Sequence, residues 1–154
     1  MIEPTGIAKY SYKTSQKEAT VVEGRFESYI FSDDESKILL LKESEPIYRH
    51  SFLGKFDVKD LKSGKIINLN NGKFVQEPTF SPDGTKVAFI ADNNLFYQDL
   101  NTGTITQITT DGKKNHILNG LADWVYEEEF GHEKVYEWTK NSDAIVFVKS
   151  DESE

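Results

Sequence analysis

An internal repeat is the feature of this sequence that most restricts its fold. Three segments align without gaps, namely Phe31–Leu40, Phe80–Phe89 and Trp138–Phe147. Each begins with an aromatic residue that would close a strand, passes through a short turn and ends in an apolar run. In the second copy the turn is Pro82-Asp83-Gly84, where proline fixes φ, aspartate bonds to its own backbone and glycine accepts a positive φ. The apolar runs are short and β-rich, as expected for strands that are buried on both faces.

A second pair of segments repeats downstream of the first. Val58–Leu69 aligns with Tyr97–Ile108, and both share Asp-Leu-x-Ser/Thr-Gly-x-Ile, which predicts a strand, a turn and a returning strand. Four strands per unit, at a spacing of about 40 to 50 residues, is typical of a β-propeller blade. A plain β-sandwich, which also has short strands and glycine turns, is the alternative, and the gap-free repeat favours the propeller over it. We therefore predict an all-β fold built from antiparallel four-stranded blades of a β-propeller.

Two breaks in the repeat locate insertions. The first unit carries about ten extra residues within Lys42–Phe56, between its apolar strand and its last hairpin. A further stretch of about 19 extra residues contains Asp123–Phe130. Loops on a rigid scaffold are where binding residues concentrate. We therefore expect binding residues in these two insertions.

The second insertion contains an unusual acidic run. Glu127, Glu128 and Glu129 are consecutive, and they are flanked by Trp124-Val125-Tyr126 and by Phe130. These apolar neighbours favour burial, so we expect at least one carboxylate at the edge of an apolar wall. A carboxylate there costs free energy unless it finds a cation or hydrogen-bond donors. A site that binds the ammonium group of a ligand would have this composition.

The same run is compatible with a short helix. Leu121–Glu129 could form it, with Asn119 or Asp123 as the cap. On a helical turn Glu128 and Glu129 would be about 100° apart and could reach one pocket, whereas on a strand they would point to opposite faces. The alternative is a solvated acidic helix face whose aromatic residues merely pack on the propeller.

Composition excludes several classes of function. The chain has 154 residues, 37% of them hydrophobic, and a net charge of −8, which argues against nucleic acid or anionic membrane as a partner. There is no cysteine, no Gly-x-Ser-x-Gly elbow and no glycine-rich phosphate loop. His116 and His132 flank the acidic insertion, but no H-x-x-x-H pattern supports a metal site, and we expect surface histidines there and at His50. We predict no cofactor, no metal site and no catalytic residue in this chain.

The two insertions resemble a known family. Asn119–Phe130 is similar to the double-glutamate motif of the dipeptidyl peptidase IV family, and Tyr48–Phe52 resembles that family's arginine segment. The blade motif and Ser150–Ser153 also fit, so the resemblance runs from about Phe26 to the end of the chain. The acidic motif is long and specific, and the arginine segment adds weight because it lies at a matching distance upstream.

The resemblance implies a function. Members of this family are serine exopeptidases with an N-terminal eight-bladed propeller and a C-terminal α/β-hydrolase domain, and they release X-Pro or X-Ala dipeptides from free N-termini. Glu128 and Glu129 match the glutamates that hold the substrate's terminal ammonium, and Arg49 matches the arginine that contacts the carbonyl region. Glu127 matches the first glutamate of the motif and is left outside the ligand contacts. The catalytic triad belongs to the hydrolase domain, so the chain alone is not expected to hydrolyse a substrate.

These inferences predict how the chain is divided. We expect an N-terminal lead-in or partial blade at 1–25, a blade with the Arg49 insertion at 26–72, a second blade at 73–110, and the start of a third with the Glu-Glu insertion at 111–154. That amounts to about two and a half blades of an expected eight, with a short helical insertion near 121–130. The catalytic domain is expected to lie outside this sequence, and the chain is interpreted as a fragment.

The expected partners follow from the same interpretation. They are peptide substrates with free N-termini, the hydrolase domain of the same protein, and a second copy bound through open sheet edges. The resemblance favours a periplasmic, cell-surface or secreted location. Two alternatives stay open, a non-catalytic β-propeller that binds other proteins through the aromatic and acidic insertion, and a related tripeptidyl peptidase.

Overall fold

The computed structural model describes residues 1–153, and its secondary structure is almost entirely antiparallel β-sheet. The strands are β1 (Ile2–Glu3), β2 (Gly6–Tyr10), β3 (Lys17–Glu23), β4 (Ser28–Phe31), β5 (Lys37–Pro46), β6 (Phe52–Asp60), β7 (Ile66–Asn68), β8 (Gln76–Phe80), β9 (Lys86–Ala91), β10 (Asn94–Asp99), β11 (Ile105–Gln107), β12 (Ile117–Asn119), β13 (Tyr136–Trp138), β14 (Ile145–Phe147) and β15 (Lys149–Asp151). A 3-10 segment spans Leu69–Gly72, and a helix, α1, spans Trp124–Phe130. The predicted all-β class with a short helical insertion is confirmed.

Two complete four-stranded sheets form the centre of the chain. Their strand orders are β4-β5-β6-β7 and β8-β9-β10-β11, so each sheet is a simple meander of sequential antiparallel strands. Before them, β1, β2 and β3 form a three-stranded sheet, and after them β12 pairs with β15 and β13 pairs with β14. The repeat seen in the sequence is therefore a repeat of sheets.

The second strand of each complete sheet contributes to two cores at once. In β5, Leu39 and Leu41 face the core shared with the next sheet, while Ile38 and Leu40 face the core shared with the N-terminal sheet. In β9 the alternation recurs, with Val87 and Phe89 on one side and Ala88 and Ile90 on the other. These eight side chains are all less than 5% exposed. The predicted burial of both strands on both faces is confirmed, because successive side chains of a strand point to opposite sides of the sheet.

The aligned turns make the same hydrogen bonds in both complete sheets. The Ser32 hydroxyl donates to the Asp34 carboxylate at 2.7 Å, and the Ser81 hydroxyl donates to Asp83 at 2.6 Å. Hydrogen bonds from Ser32 and Ser36 lower the pKa of Asp34 to about 2. Each aspartate thus closes its own turn, which explains why serine and aspartate recur at these positions in both units.

The first insertion lengthens a hairpin. Beyond Leu41, β5 and β6 continue as a two-stranded arm (residues 42–55) in which Glu43 pairs with Lys55 and Pro46 pairs with Phe52. Only the tip of the arm (residues 47–51) is a loop. The base of the arm is fixed by a bridge between Gly54 and Val75.

The second insertion contains α1. The Asp123 side chain caps it by accepting the Tyr126 N–H at 2.8 Å, and Gly131 ends it in the left-handed region at φ 64. The helix was predicted from Leu121 with either Asn119 or Asp123 as the cap. It begins later because Leu121 bridges Lys134 in an extended conformation, which leaves Asp123 as the cap.

Candidate functional site

The two insertions bring Arg49 and Glu128 together. The Arg49 Nη1 atom lies 3.6 Å from the Glu128 Oε2 atom, and the two side chains are 73% and 20% exposed. Glu129 follows on the same helix and is exposed. Adjacent helical positions differ by about 100°, so Glu129 is turned away from Glu128 by about that angle. The predicted site residues therefore share one end of the molecule, with a partner for Arg49 already in place.

Glu127 contacts the arm tip more closely than Glu128 contacts Arg49. It is only 4% exposed, and its Oε1 atom accepts the backbone N–H groups of His50 at 3.1 Å and of Ser51 at 3.0 Å. Burial acts to raise the pKa of this carboxyl, but the hydrogen bonds from Ser51 and His50 outweigh it and leave the pKa below its usual value. One of the three carboxylates is thus buried, and backbone amides rather than a cation satisfy it.

The expected burial of the apolar neighbours is wrong. Trp124 is 57% exposed, Val125 51%, Tyr126 53% and Phe130 64%. The helix has seven residues, and in it the buried position belongs to Glu127. Its four large apolar side chains are therefore exposed, and the rings of Tyr126 and Phe130 lie 5.5 Å apart.

A cleft of about 570 Å³ lies between the arm, the segment 112–118 and the start of the acidic insertion. Its wall includes the acidic residues Glu77, Asp92, Asp123, Glu127, Glu133 and Glu152 and the basic residues Lys113 and Lys114. Burial and the charges of Glu133 and Glu127 raise the pKa of Glu77, and Lys134 opposes them. The excess of carboxylates makes this end of the chain attractive to cationic groups.

Tyr136 fixes the base of the acidic insertion to the second complete sheet. It is 2% exposed, and its hydroxyl lies 3.1 Å from the Ala88 carbonyl and 3.2 Å from Thr79 Oγ1, and also contacts the Glu77 carbonyl. Next to it, the Trp138 Nε1–H donates to the Thr79 carbonyl at 3.2 Å. Sequence reasoning recognised Trp138 as a repeat position but did not identify Tyr136 as an anchor.

Other kinds of site are not formed by the described residues. Within 1–153, no group of three or more histidine, cysteine, aspartate or glutamate residues is arranged to hold a metal ion. Over the same residues, no helix is long and apolar enough to cross a bilayer. His50 and His132 are exposed, as expected, and His116 is partly buried.

Comparison with known proteins gives consistent results. The family model for the dipeptidyl peptidase IV (DPP IV) N-terminal region matches residues 32–154. The chain is 35% identical over 130 residues to dipeptidyl aminopeptidase B of Saccharomyces cerevisiae, and the alignment covers 83% of this chain and 16% of the relative. It is 37% identical over 122 residues to a probable dipeptidyl-aminopeptidase B of Aspergillus niger, and that alignment covers 77% of this chain and 13% of the relative.

A solved structure agrees over almost the whole chain. The crystal structure of Porphyromonas gingivalis dipeptidyl peptidase 4 superimposes with a TM-score of 0.91 and 37% sequence identity, covering 98% of this chain and 23% of that one. The chain thus spans less than a quarter of each of these relatives. The two meander sheets are blades of that family's propeller, as predicted. The chain belongs to the dipeptidyl peptidase IV family and corresponds to part of its N-terminal region.

Proposed function

We propose that this chain is the substrate-gating propeller portion of a dipeptidyl peptidase IV-like serine exopeptidase that releases X-Pro and X-Ala dipeptides. Glu128 and Glu129 bind the terminal ammonium of the peptide, and Arg49 donates to its carbonyl region. The serine hydrolase chemistry belongs to an α/β-hydrolase domain of the same protein. The proposal rests on family membership and on the positions of the three side chains.

The observation that carries the proposal is the approach of Arg49 to Glu128. The two residues come from insertions in different units of the repeat, yet their charged atoms are 3.6 Å apart. A carboxylate accepts hydrogen bonds only and an arginine donates only, so together they offer both kinds of partner to one ligand. A peptide N-terminus presents an ammonium donor next to a carbonyl acceptor, which matches this pair.

The arrangement also explains the length selectivity expected of such an enzyme. An ammonium anchored at Glu128 and Glu129 fixes one end of the peptide, so the distance from anchor to nucleophile sets how many residues are released. Blocking the amine removes the positive charge and the donors that the carboxylates need. Substrates with a blocked amine should therefore be rejected.

The first experiment compares two substrates of the full-length protein. Glycyl-prolyl-anilide should be cleaved much faster than the same compound acetylated at its amine. Equal cleavage of both compounds would contradict the ammonium anchor at Glu128 and Glu129 but would still indicate a hydrolase. Cleavage of neither compound would contradict the peptidase proposal.

Variants of the anchor then test the residues. Glu128→Gln and Glu129→Gln should each lower kcat/KM for the free amine by about 30- to 900-fold, since a charge-assisted bond that the bound peptide shields from water contributes about 2 to 4 kcal/mol. The matched control is Glu18→Gln, because Glu18 is also in a surface ion pair, 3.5 Å from Lys9 in the N-terminal sheet. Wild-type turnover by both anchor variants would contradict the assignment.

A second candidate function is a protein-binding scaffold. The exposed apolar residues of α1 favour it, because four large apolar side chains of one short helix are each more than half exposed. In that case Trp124→Ala would abolish partner binding, and the full-length protein would cleave neither anilide. In the first candidate the same variant leaves the preference for a free amine intact.

A further inference from the structure

Glu127 occupies the only strongly buried position among the three consecutive glutamates. It is 4% exposed, whereas Glu128 is partly buried and Glu129 is exposed. Both of its hydrogen bonds go to the arm tip, through one oxygen and two successive amides. Hydrogen bonds to a charged acceptor are stronger than those to a neutral one, so this contact links the two insertions more firmly than the exposed Arg49–Glu128 pair does.

The arm needs such a link at its tip. Its base is held by hydrogen bonds of 2.8 and 2.9 Å between Gly54 and Val75, but beyond the β4 edge it consists of two strands. An isolated two-stranded ribbon is only marginally stable in water. Within the tip, Ile47 donates to the Ser51 carbonyl at 2.9 Å, which closes the turn without fixing it to the rest of the molecule. Phe52, beside the tip, packs against the core, and Glu127 supplies the hydrogen-bonded attachment of the tip itself.

The attachment lies next to both proposed ligand-binding groups. His50 follows Arg49 in the arm, and Glu128 follows Glu127 in α1. The two hydrogen bonds therefore hold the backbone next to Arg49 close to the helix next to Glu128, which limits how far Arg49 and Glu128 can separate. The exposed Arg49 side chain could not set this separation by itself, because a surface ion pair is too weak to hold a loop.

We propose that Glu127 is a positioning residue that locks the arm tip against α1, so that Arg49 and the Glu128–Glu129 pair are presented to the peptide as one rigid unit. The inference rests on the proposed function for its consequence, but the lock itself is a property of this chain. Glu127 does not contact the substrate. Its carboxylate acts through the backbone of His50 and Ser51.

The lock is tested first in the wild-type chain, by following its NMR spectrum as the pH is changed. The amide proton resonances of His50 and Ser51 should move with the same midpoint as the Glu127 carboxyl carbon. The titration is repeated in a His50→Gln background, which keeps the backbone N–H and removes the adjacent imidazole. Amide resonances that ignore the Glu127 titration would overturn the proposal.

Hydrogen exchange measures the strength of the lock. Glu127→Ala should speed exchange at the His50 and Ser51 amides by about 10- to 100-fold, since each loses a charge-assisted acceptor. Amides of β9 report on global folding and should not change. Glu127→Gln keeps an oxygen acceptor without the charge and should restore part of the protection. Unchanged exchange at the tip in a folded Glu127→Ala variant would overturn the proposal, and if that variant unfolds, the titration above decides.

Cleavage by the full-length protein separates the lock from the proposed function. Glu127→Ala should reduce cleavage of glycyl-prolyl-anilide at least tenfold, with partial rescue by Glu127→Gln and no effect on the residual cleavage of the acetylated compound. A released tip with undiminished cleavage would overturn the positioning role. Failure of the wild-type protein to distinguish the two substrates would instead overturn the proposed function, and the exchange result would then describe a purely structural lock.

Discussion

Replacing Tyr136 by phenylalanine removes one oxygen atom from the anchor of the acidic insertion. The hydroxyl is within hydrogen-bond distance of the Ala88 carbonyl at 3.1 Å and also contacts the Glu77 carbonyl, but its single proton can serve only one of them at a time. The Glu77 carbonyl has a second donor, the Thr79 hydroxyl at 3.3 Å. The variant therefore loses one hydrogen bond to a buried acceptor.

The expected cost follows from this count. Losing one buried hydrogen bond costs about 1 to 2 kcal/mol, and phenylalanine fills the ring site so that almost no cavity is created. For a chain of this size the melting temperature should fall by about 2 to 8 °C. If all three contacts were independent bonds, the loss would be about three times larger.

Urea unfolding followed by tryptophan fluorescence measures the change. Tyr97→Phe is the control, because Tyr97 packs edge-on against Trp138 at 6.2 Å and its hydroxyl makes no hydrogen bond to the described part of the chain. A loss below about 0.3 kcal/mol for Tyr136→Phe, or an equal loss in the control, would refute the reasoning, since surface-like substitutions fall in that range.

Three further predictions concern charge and backbone geometry. In a double-mutant cycle on the free energy of unfolding, Arg49→Ala and Glu128→Ala should show a coupling of no more than about 0.5 kcal/mol, because Arg49 is 73% exposed. The coupling should disappear in high salt, and a larger, salt-resistant coupling would contradict this prediction. Burial raises the pKa of Glu77, so the folded protein holds that proton more tightly than the unfolded chain, and the contribution of Glu77 to stability falls as pH rises from about 4.5 through its raised pKa. Glu77→Gln should therefore be more stable than wild type at pH 7 and no more stable at pH 4, and equal differences at both pH values would count against it. Gly120→Ala should destabilise by about 1 to 3 kcal/mol, because Gly120 has φ +80 and an added Cβ would lie 3.3 Å from the Tyr136 ring; an unchanged unfolding midpoint would disprove this.

The sequence predicted the blades well because their determinants are local. The aspartate turns at Asp34 and Asp83 and the apolar strands that follow them carry their own hydrogen-bonding and burial patterns. A period of two identifies which residues share a face, and a turn identifies where the strand reverses. The alternation of Ile38–Leu41 between two cores was readable for that reason.

The roles of the three glutamates were not readable in the same way. Glu127, Glu128 and Glu129 are chemically identical, and which of them is buried depends on the phase of α1, meaning the side of the helix that faces the arm tip. That phase is set by the Asp123 cap and by Ser51, which lies 76 residues away from Glu127 in sequence. The Asp123 cap was one of two candidates in the sequence, but the approach of the tip left no local signal. The expected burial of Trp124 failed for the same reason.

The hydrogen bonds from His50 and Ser51 to Glu127 cross over the middle blade, since one insertion belongs to the unit before it and the other to the unit after it. The two insertions are therefore not separable modules. A chimaera that receives the acidic helix from another propeller without the matching arm would bury a carboxylate with no donor, and the reverse exchange would leave two tip amides without an acceptor. Engineering of this region has to transplant both insertions and preserve the spacing of the blade between them.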